Sequence, residues 1–271
     1  MPELPEVETT RRGIEPSLLG QTITGAVVRN AALRWPVPDD LNQQLAGASV
    51  AEVARRGKYL LIDCGRGWIM IHLGMSGSLR LVRSGTPPDK HDHVDIVLTS
   101  GWTLRLRDPR RFGAVLWVPG HIANHPLLRE LGPEPLSPSF NADYLYEATR
   151  GRSAAIKLVI MDSHTVVGVG NIYASESLFR AGIRPTTPAQ RLGHARCAKL
   201  VEAIQATLDD AIRAGGSTLR DFVDSAGNSG YFQLQTFVYD RAGQACRVCG
   251  GEIRLLKQGQ RSTYYCVHCQ H

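Results

Sequence analysis

Two Cys-x-x-Cys pairs, Cys246 with Cys249 and Cys266 with Cys269, constrain the fold of this 271-residue chain more than any other feature. Sixteen residues separate them. Each pair is a tight knuckle that aims two thiolates at one point, and a spacer of this length returns the chain as a hairpin, so the pattern predicts a zinc ribbon. Four sulfur ligands close the tetrahedron and leave no position for substrate water, which makes the expected ion, one zinc, structural. A segment this small cannot bury enough apolar surface to fold alone, so the metal stabilises it directly. From Arg241 to His271, five basic residues (Arg241, Arg247, Arg254, Lys257 and Arg261) stand against the single acid Glu252. A rigid basic hairpin suits a nucleic-acid groove; a solvated protein-contact ribbon is the competing reading.

The choice of metal over disulfides depends on compartment. The start, MPELPEVETT, has no basic n-region, apolar h-region or cleavage signal. The longest apolar run, Trp68-Ile-Met-Ile71, is far too short to span a bilayer. An intracellular, cytoplasmic protein with reduced thiols is expected. The isolated Cys64 and Cys197 then read as small core residues. A formal net charge of +6 and a pI of about 9.1 fit a polyanionic partner without requiring one.

Short apolar or alternating runs fill the first half: Tyr59–Ile62, Trp68–His72, Ser78–Val82, Val94–Leu98, Trp102–Leu106 and Ala114–Val118. Gly, Pro and Ser clusters separate them, which predicts a β-sandwich or barrel. A helix precedes them, with Pro5 in its first turn and Glu6 and Glu8 read as acids at its positive end. Three prolines within Gly132–Pro138 mark a linker. Helical spacing follows over Asn141–Thr149, Ala154–Met161, Ile172–Ala181 and Pro188–Ala214, with glycines after the last two. The expected organisation is α+β in two domains, with boundaries at 1–132, 133–236 and 237–271, the last being the ribbon.

Pro2 and Glu3 are the most informative residues chemically. A small penultimate residue permits removal of Met1, which would leave Pro2 a free secondary amine. An α-amine titrates near pH 8, so a useful fraction is nucleophilic at neutral pH. Attack on a sugar C1′ gives an iminium ion that keeps no N–H to lose and remains an electron sink. Retained Met1 would acylate the amine and leave the protein inert. With PELPEVE stand Arg56-Gly-Lys58-Tyr-Leu, His72-Leu-Gly-Met-Ser-Gly77, Lys90-His-Asp-His-Val-Asp95, Asp108-Pro-Arg-Arg-Phe-Gly113 and Gly168-Val-Gly-Asn-Ile-Tyr-Ala-Ser-Glu176. In this order, over the whole chain and with the ribbon, they resemble the bacterial formamidopyrimidine-DNA glycosylase family. Leu4 with Met75, Arg110 and Phe112 resembles its oxidised-purine branch rather than the related endonuclease VIII group.

The resemblance implies a β-sandwich with flanking helices, a helical domain with a helix-two-turn-helix, and the four-cysteine zinc-ribbon hairpin. It implies a monomer acting on damaged duplex DNA as a bifunctional glycosylase and lyase. Pro2 would be the Schiff-base nucleophile and Glu3 the proton donor; Lys58 would move a proton during β-elimination, and Arg261 would support δ-elimination and grip phosphate. Met75, Arg110 and Phe112 would fill the hole left by an extruded nucleotide. His91, the Gly151-Arg152 turn and Asn171 would contact phosphates, with arginine at 152 where lysine is often found nearby. Residues 216–234 would form a mobile lesion-covering loop. Arg105-Leu-Arg-Asp-Pro-Arg-Arg111 holds four arginines and one acid, which on a lone strand implies an anionic partner. A zinc-ribbon DNA-binding protein without chemistry, and a sister enzyme preferring oxidised pyrimidines, are the alternatives.

Overall fold

The computed structural model describes residues 2–216 and 236–271. Most of the expected lesion-covering loop lies outside the described residues. The chain divides into two compact units, Met1–Arg129 with Ala214–Gln233, and Glu130–Arg213 with Leu234–His271.

In the first unit, helix α1 (Leu4–Leu18) and the short α2 (Leu41–Leu45) accompany eight strands: β1 (Ile23–Val28), β2 (Glu52–Arg56), β3 (Tyr59–Asp63), β4 (Gly67–His72), β5 (Ser78–Arg83), β6 (Asp92–Leu98), β7 (Trp102–Arg107) and β8 (Ala114–Pro119). They form two four-stranded antiparallel sheets, ordered β1-β6-β7-β5 and β2-β3-β4-β8. Leu60, Ile62, Ile69 and Ile71 from one sheet, Ile96, Leu104 and Leu106 from the other, and Val7, Ile14 and Leu18 of α1 bury into one cluster. The period-2 alternation that marks these runs as strands is what turns one face of each inward. Truncating a fully buried member such as Leu60 to Ala costs roughly 2–5 kcal/mol.

Two strands escape the sequence pattern. β1 contains Gly25, where a Cβ would stand 2.5 Å from Asn42 Oδ1, and its register shifts there. β2 reads Glu-Val-Ala-Arg-Arg, an edge strand with only Val53 fully buried.

The second unit holds α3 (Ala142–Thr149), α4 (Ile156–Met161), α5 (Asn171–Arg180), α6 (His194–Arg213) and the hairpin β9 (Ile253–Gln258) with β10 (Arg261–Cys266). Asn141 caps α3, its Oδ1 accepting from the Tyr144 N–H at 2.9 Å. The single helix expected over Pro188–Ala214 is instead a 3-10 turn at Ala189–Arg191 followed by α6, with Leu192 and Gly193 breaking the run. Gly182, with φ of 68°, ends α5, and Gly215 and Gly216, at 82° and 83°, follow α6. Cys64 and Cys197 are buried, as their isolation predicts, and burial pushes the Cys64 thiol up to about 12. No described helix is long and apolar enough to cross a membrane.

Candidate functional site

The N-terminal end is built by the first turn of α1. Pro2 is buried, and Glu3, only 2% exposed, is the helix N-cap. The fully buried Glu6 reaches back and accepts from the Glu3 N–H at 2.7 Å, the returning arm of a capping box. Glu6 is therefore a brace on the backbone of Glu3 as well as a helix-start acid. Gly216 lies against the same turn: a Cβ there would stand 3.4 Å from Glu6 Cα.

Glu8 likewise does more than favour a helix start. It binds Arg11 and Arg12 on its own helix and Arg55 of β2 at 3.0 Å. Burial works to raise its carboxyl, but the three guanidinium groups outweigh it and hold the group below its ordinary range. Arg55 also donates to the Gly57 carbonyl at 2.9 Å, so one arginine fixes the β2–β3 turn, Gly57-Lys58, to α1. Lys58 is half-buried beside His72, which pairs with Tyr59 in the ladder at a ring separation of 5.0 Å. Burial, together with the positive charges of Lys58 and Arg34, pulls His72 down to about 4. The Gly74 N–H donates to its Nδ1 at 3.0 Å, so His72 is a neutral imidazole carrying its proton on Nε2.

Met75 sits in the β4–β5 loop, and Arg110 and Phe112 in the turn between β7 and β8. These loops touch: a Cβ on Gly74 would lie 2.4 Å from the Phe112 carbonyl carbon. Phe112 is 43% exposed, unusual for so large an apolar ring, and the Arg110 guanidinium lies 4.9 Å from its centroid. Between them Arg111 takes φ of 57°, a left-handed conformation that re-aims its two neighbours. His91 is anchored at the base of this turn, its carbonyl accepting from the Asp108 N–H at 3.0 Å.

The arginine-rich strand corrects a sequence expectation. Arg105 needs no external anion. It faces Asp95 across the β6–β7 ladder and donates to both its oxygens at 2.9 Å, while Arg107 pairs with Asp89 at 3.3 Å. The acids come from the neighbouring strand and loop, where no linear spacing reveals them.

In the second unit, Asn171 opens α5. The fully buried Lys157 donates to Asn171 Oδ1 at 2.7 Å, Thr263 Oγ1 at 2.7 Å and the Ser262 carbonyl at 3.1 Å, and Asn171 Nδ2 donates to the same carbonyl at 3.0 Å. Asn171 and the hairpin tip are thereby locked together, with Arg261 next to Ser262 and exposed. Gly259 and Gln260, with φ of 49° and 65°, make the tight hairpin turn before it. Gly151, with φ of 68°, follows α3, and the Arg152 guanidinium donates to Thr165 Oγ1 at 2.9 Å and lies 3.6 Å from Asp162. Sequence reasoning does not single out Lys157 or His72. A buried lysine is rare enough that only tertiary contacts disclose it.

The ribbon cysteines fit a metal. Their four sulfurs all lie within 4.8 Å of one another, with Cys249–Cys266 at 3.4 Å and Cys246–Cys269 at 3.9 Å. Four sulfurs about 2.3 Å from one zinc stand roughly 3.8 Å apart, whereas a disulfide needs about 2.05 Å. Burial opposes ionisation of Cys246, but the N–H groups of Cys249 and Val248 outweigh it and pull the thiol down to about 7, while partial burial and the neighbouring sulfurs push the half-buried Cys269 up. A cation among them reverses that mutual repulsion. Behind the knuckles, Glu176 of α5 accepts from the N–H groups of Phe237, Val238 and Tyr239 at 2.8, 3.0 and 2.8 Å, docking the start of the ribbon segment onto the helix.

An antiparallel β-sandwich with a capped N-terminal helix, a helical unit and a four-thiolate hairpin together define the class of protein. Family models described as formamidopyrimidine-DNA glycosylase N-terminal domain, formamidopyrimidine-DNA glycosylase H2TH domain, and zinc finger found in FPG and IleRS match residues 1–115, 131–223 and 243–271. A formamidopyrimidine-DNA glycosylase of Cupriavidus pinatubonensis is 58% identical, with all of both chains covered. The Lactococcus lactis Fpg solved with DNA containing an abasic site is 32% identical at a TM-score of 0.92, covering 99% of each chain. A MutM solved with DNA containing carbocyclic 8-oxo-G is 33% identical at a TM-score of 0.91, covering 100% of each. The chain belongs to the formamidopyrimidine-DNA glycosylase family.

Proposed function

We propose that this protein excises oxidised purines, 8-oxoguanine and formamidopyrimidines, from duplex DNA and then cleaves the backbone by β,δ-elimination, leaving a one-nucleotide gap. Membership of the family over the full chain supports the reading, as do relatives solved with lesion-bearing DNA. The observation that carries it is the brace running from the Pro2-Glu3 end of α1, through Glu8 and Arg55, to the Lys58 turn.

With Met1 removed, Pro2 presents its amine at the start of a helix, where the positive end of the macrodipole favours the unprotonated form. The amine attacks C1′ as the base departs, and Glu3 supplies the proton that base loss and ring opening need. Loss of the C2′ proton then expels the 3′ phosphate, with Lys58 moving the proton. Arg261 supports the second elimination and holds phosphate. The target nucleotide must leave the stack first, and Met75, Arg110 and Phe112 fill the space it vacates. Asn171, His91 and the Gly151-Arg152 turn hold backbone phosphates. Cys246, Cys249, Cys266 and Cys269 would hold one zinc ion whose role is structural. The reading includes a monomer working in the bacterial cytoplasm, with catalytic, helical and ribbon segments divided at 1–132, 133–236 and 237–271.

The test is borohydride trapping of the Met-processed protein on a duplex carrying 8-oxoguanine opposite cytosine. A covalent adduct is expected. Absence of an adduct, or faster processing of thymine glycol than of 8-oxoguanine, would refute the assignment.

A further inference from the structure

The loop between β5 and β6, residues 84–91, carries Lys90 and the candidate phosphate contact His91. Residues 84–90 are all exposed and His91 is half-buried, so apolar packing gives this segment little to rest on. An arginine holds it from beneath instead. Arg105 of β7 is only 5% exposed. Its Nη2 donates to the Thr86 carbonyl at 2.9 Å and its Nη1 to the Pro87 carbonyl at 3.1 Å. Nε and Nη2 also grip Asp95, which fixes the plane of the guanidinium. Nη1 lies 3.5 Å from the Asp92 carboxylate. That carboxylate accepts from the Asp89 N–H at 2.8 Å, and the Asp92 N–H returns to the Asp89 carbonyl at 3.0 Å. Asp89 and Asp92 thus clasp around the two residues between them, Lys90 and His91. Beyond the clasp, the N–H of the fully buried Asp108 donates to the His91 carbonyl at 3.0 Å, and the Asp108 carbonyl accepts from His93 Nε2 at 2.9 Å.

Neutralising Asp95 does not account for this arrangement, because Arg29 pairs with the same carboxylate. Arg105 offers five donors in a rigid fork, and it spends one edge on Asp95 and the rest on the loop. The use is a matter of order. A loop of exposed residues fluctuates when nothing ties its backbone, and ordering it at the moment of binding costs affinity. A loop tied to a buried guanidinium has met that cost during folding.

We infer that Arg105 is a positioning residue for DNA binding, which presets the β5–β6 loop so that His91 meets a backbone phosphate without further ordering. This rests on the reading of His91 as a phosphate contact. Arg105→Lys is the informative variant. It keeps the charge, but one ammonium cannot face Asp95 and both carbonyls at once. Asp95→Leu with Arg105→Met is measured beside it. That pair refills the site with apolar bulk, so the fold is kept while both carbonyl bonds are lost.

Two measurements are needed, one on the free protein and one on the complex. Limited trypsin digestion of the free protein reads the loop itself: cleavage after Lys90 should speed up about fivefold or more in both variants. Fluorescence anisotropy on an uncleavable duplex with a tetrahydrofuran abasic analogue reads the grip. His91→Ala should weaken binding about three- to tenfold, the scale of one lost hydrogen bond. Each Arg105 variant should match it, and adding His91→Ala to either should cost under about twofold more. A purely structural role would leave the two losses independent and multiply them. Thermal melting of the Asp95→Leu, Arg105→Met protein should stay within about 4 °C of the native protein. Unchanged cleavage after Lys90 in both variants, or losses that multiply in full with that of His91→Ala, overturns the proposal. A His91→Ala protein that binds as tightly as the native one would instead sink the reading of His91 as a phosphate contact, and the proposal with it.

Discussion

Asp95→Asn tests the buried charge network of the sandwich. Asp95 and Arg105 side chains are each 6% exposed and share two parallel N–H···O bonds of 2.9 Å; Arg29 adds a third contact to Asp95 at 2.5 Å. Asparagine keeps the shape but offers one acceptor and no charge. Arg105 is left with Asp92 at 3.5 Å and the carbonyls of Thr86 and Pro87. Breaking one side of a buried pair costs about 3–5 kcal/mol, because the survivor stays desolvated. For a unit of this size each kcal/mol moves the midpoint by roughly 2–4 °C, so a drop on the order of 6–20 °C is expected. Circular dichroism melting at pH 7 reads it directly. Arg107→Ala is the contrast, since its partner Asp89 is 74% exposed, and the loss should be under about 0.5 kcal/mol. Replacing both partners, Asp95→Leu with Arg105→Met, should recover most of the stability. The sign with pH is fixed. Despite the opposing effect of burial, the two guanidinium groups hold the Asp95 carboxyl below its ordinary 3.8, so its contribution is present above that pH and lost as pH falls further. The gap between native and Asp95→Asn proteins should therefore close in acid. An Asp95→Asn protein that melts with the native one, or a gap that widens in acid, would refute the argument.

Other consequences are equally measurable. Chelation of the metal should make the four ribbon thiols reactive toward a disulfide reagent while Cys64 and Cys197 stay protected, and should weaken DNA binding in a filter or anisotropy assay. His72 falls from an ordinary 6.5 to about 4 on folding, so the stability tied to its neutral form is complete above 6.5 and drains as pH drops toward 4; urea midpoints across that window should flatten in His72→Gln. Gln260→Gly removes a side chain from a left-handed turn position, with φ of 65°, and should stabilise the hairpin by about 0.5–1 kcal/mol, seen as slower amide exchange in β9 and β10.

The parts of this molecule that can be read in advance are those whose information is local. Six strands of the sandwich appear as apolar runs because each has a face in the core, and the ribbon appears because four sulfurs must converge on one ion. β1 and β2 do not, since a glycine bulge in one and an edge position in the other remove the apolar alternation. Pro2, Glu3 and Lys58 are reached through a motif. The groups that hold them are not: Glu8 looks like a helix-start acid until Arg55 is seen across from it, and Arg105 looks like a free cation until register places Asp95 opposite. Lys157 and Asp108 are invisible for the same reason. Their partners are distant in the chain, and nothing about a single lysine or aspartate says it is buried.

The contact between Gly216 and Glu6 has a consequence for how the molecule is made. The first unit is discontinuous, and its second piece is synthesised only after the helices of the other unit. On the ribosome the amino end therefore emerges early and waits, without that neighbour, through most of translation. That interval is when a processing enzyme would reach Met1, so the order of synthesis and the packing of Gly216 onto the amino end are coupled by topology alone.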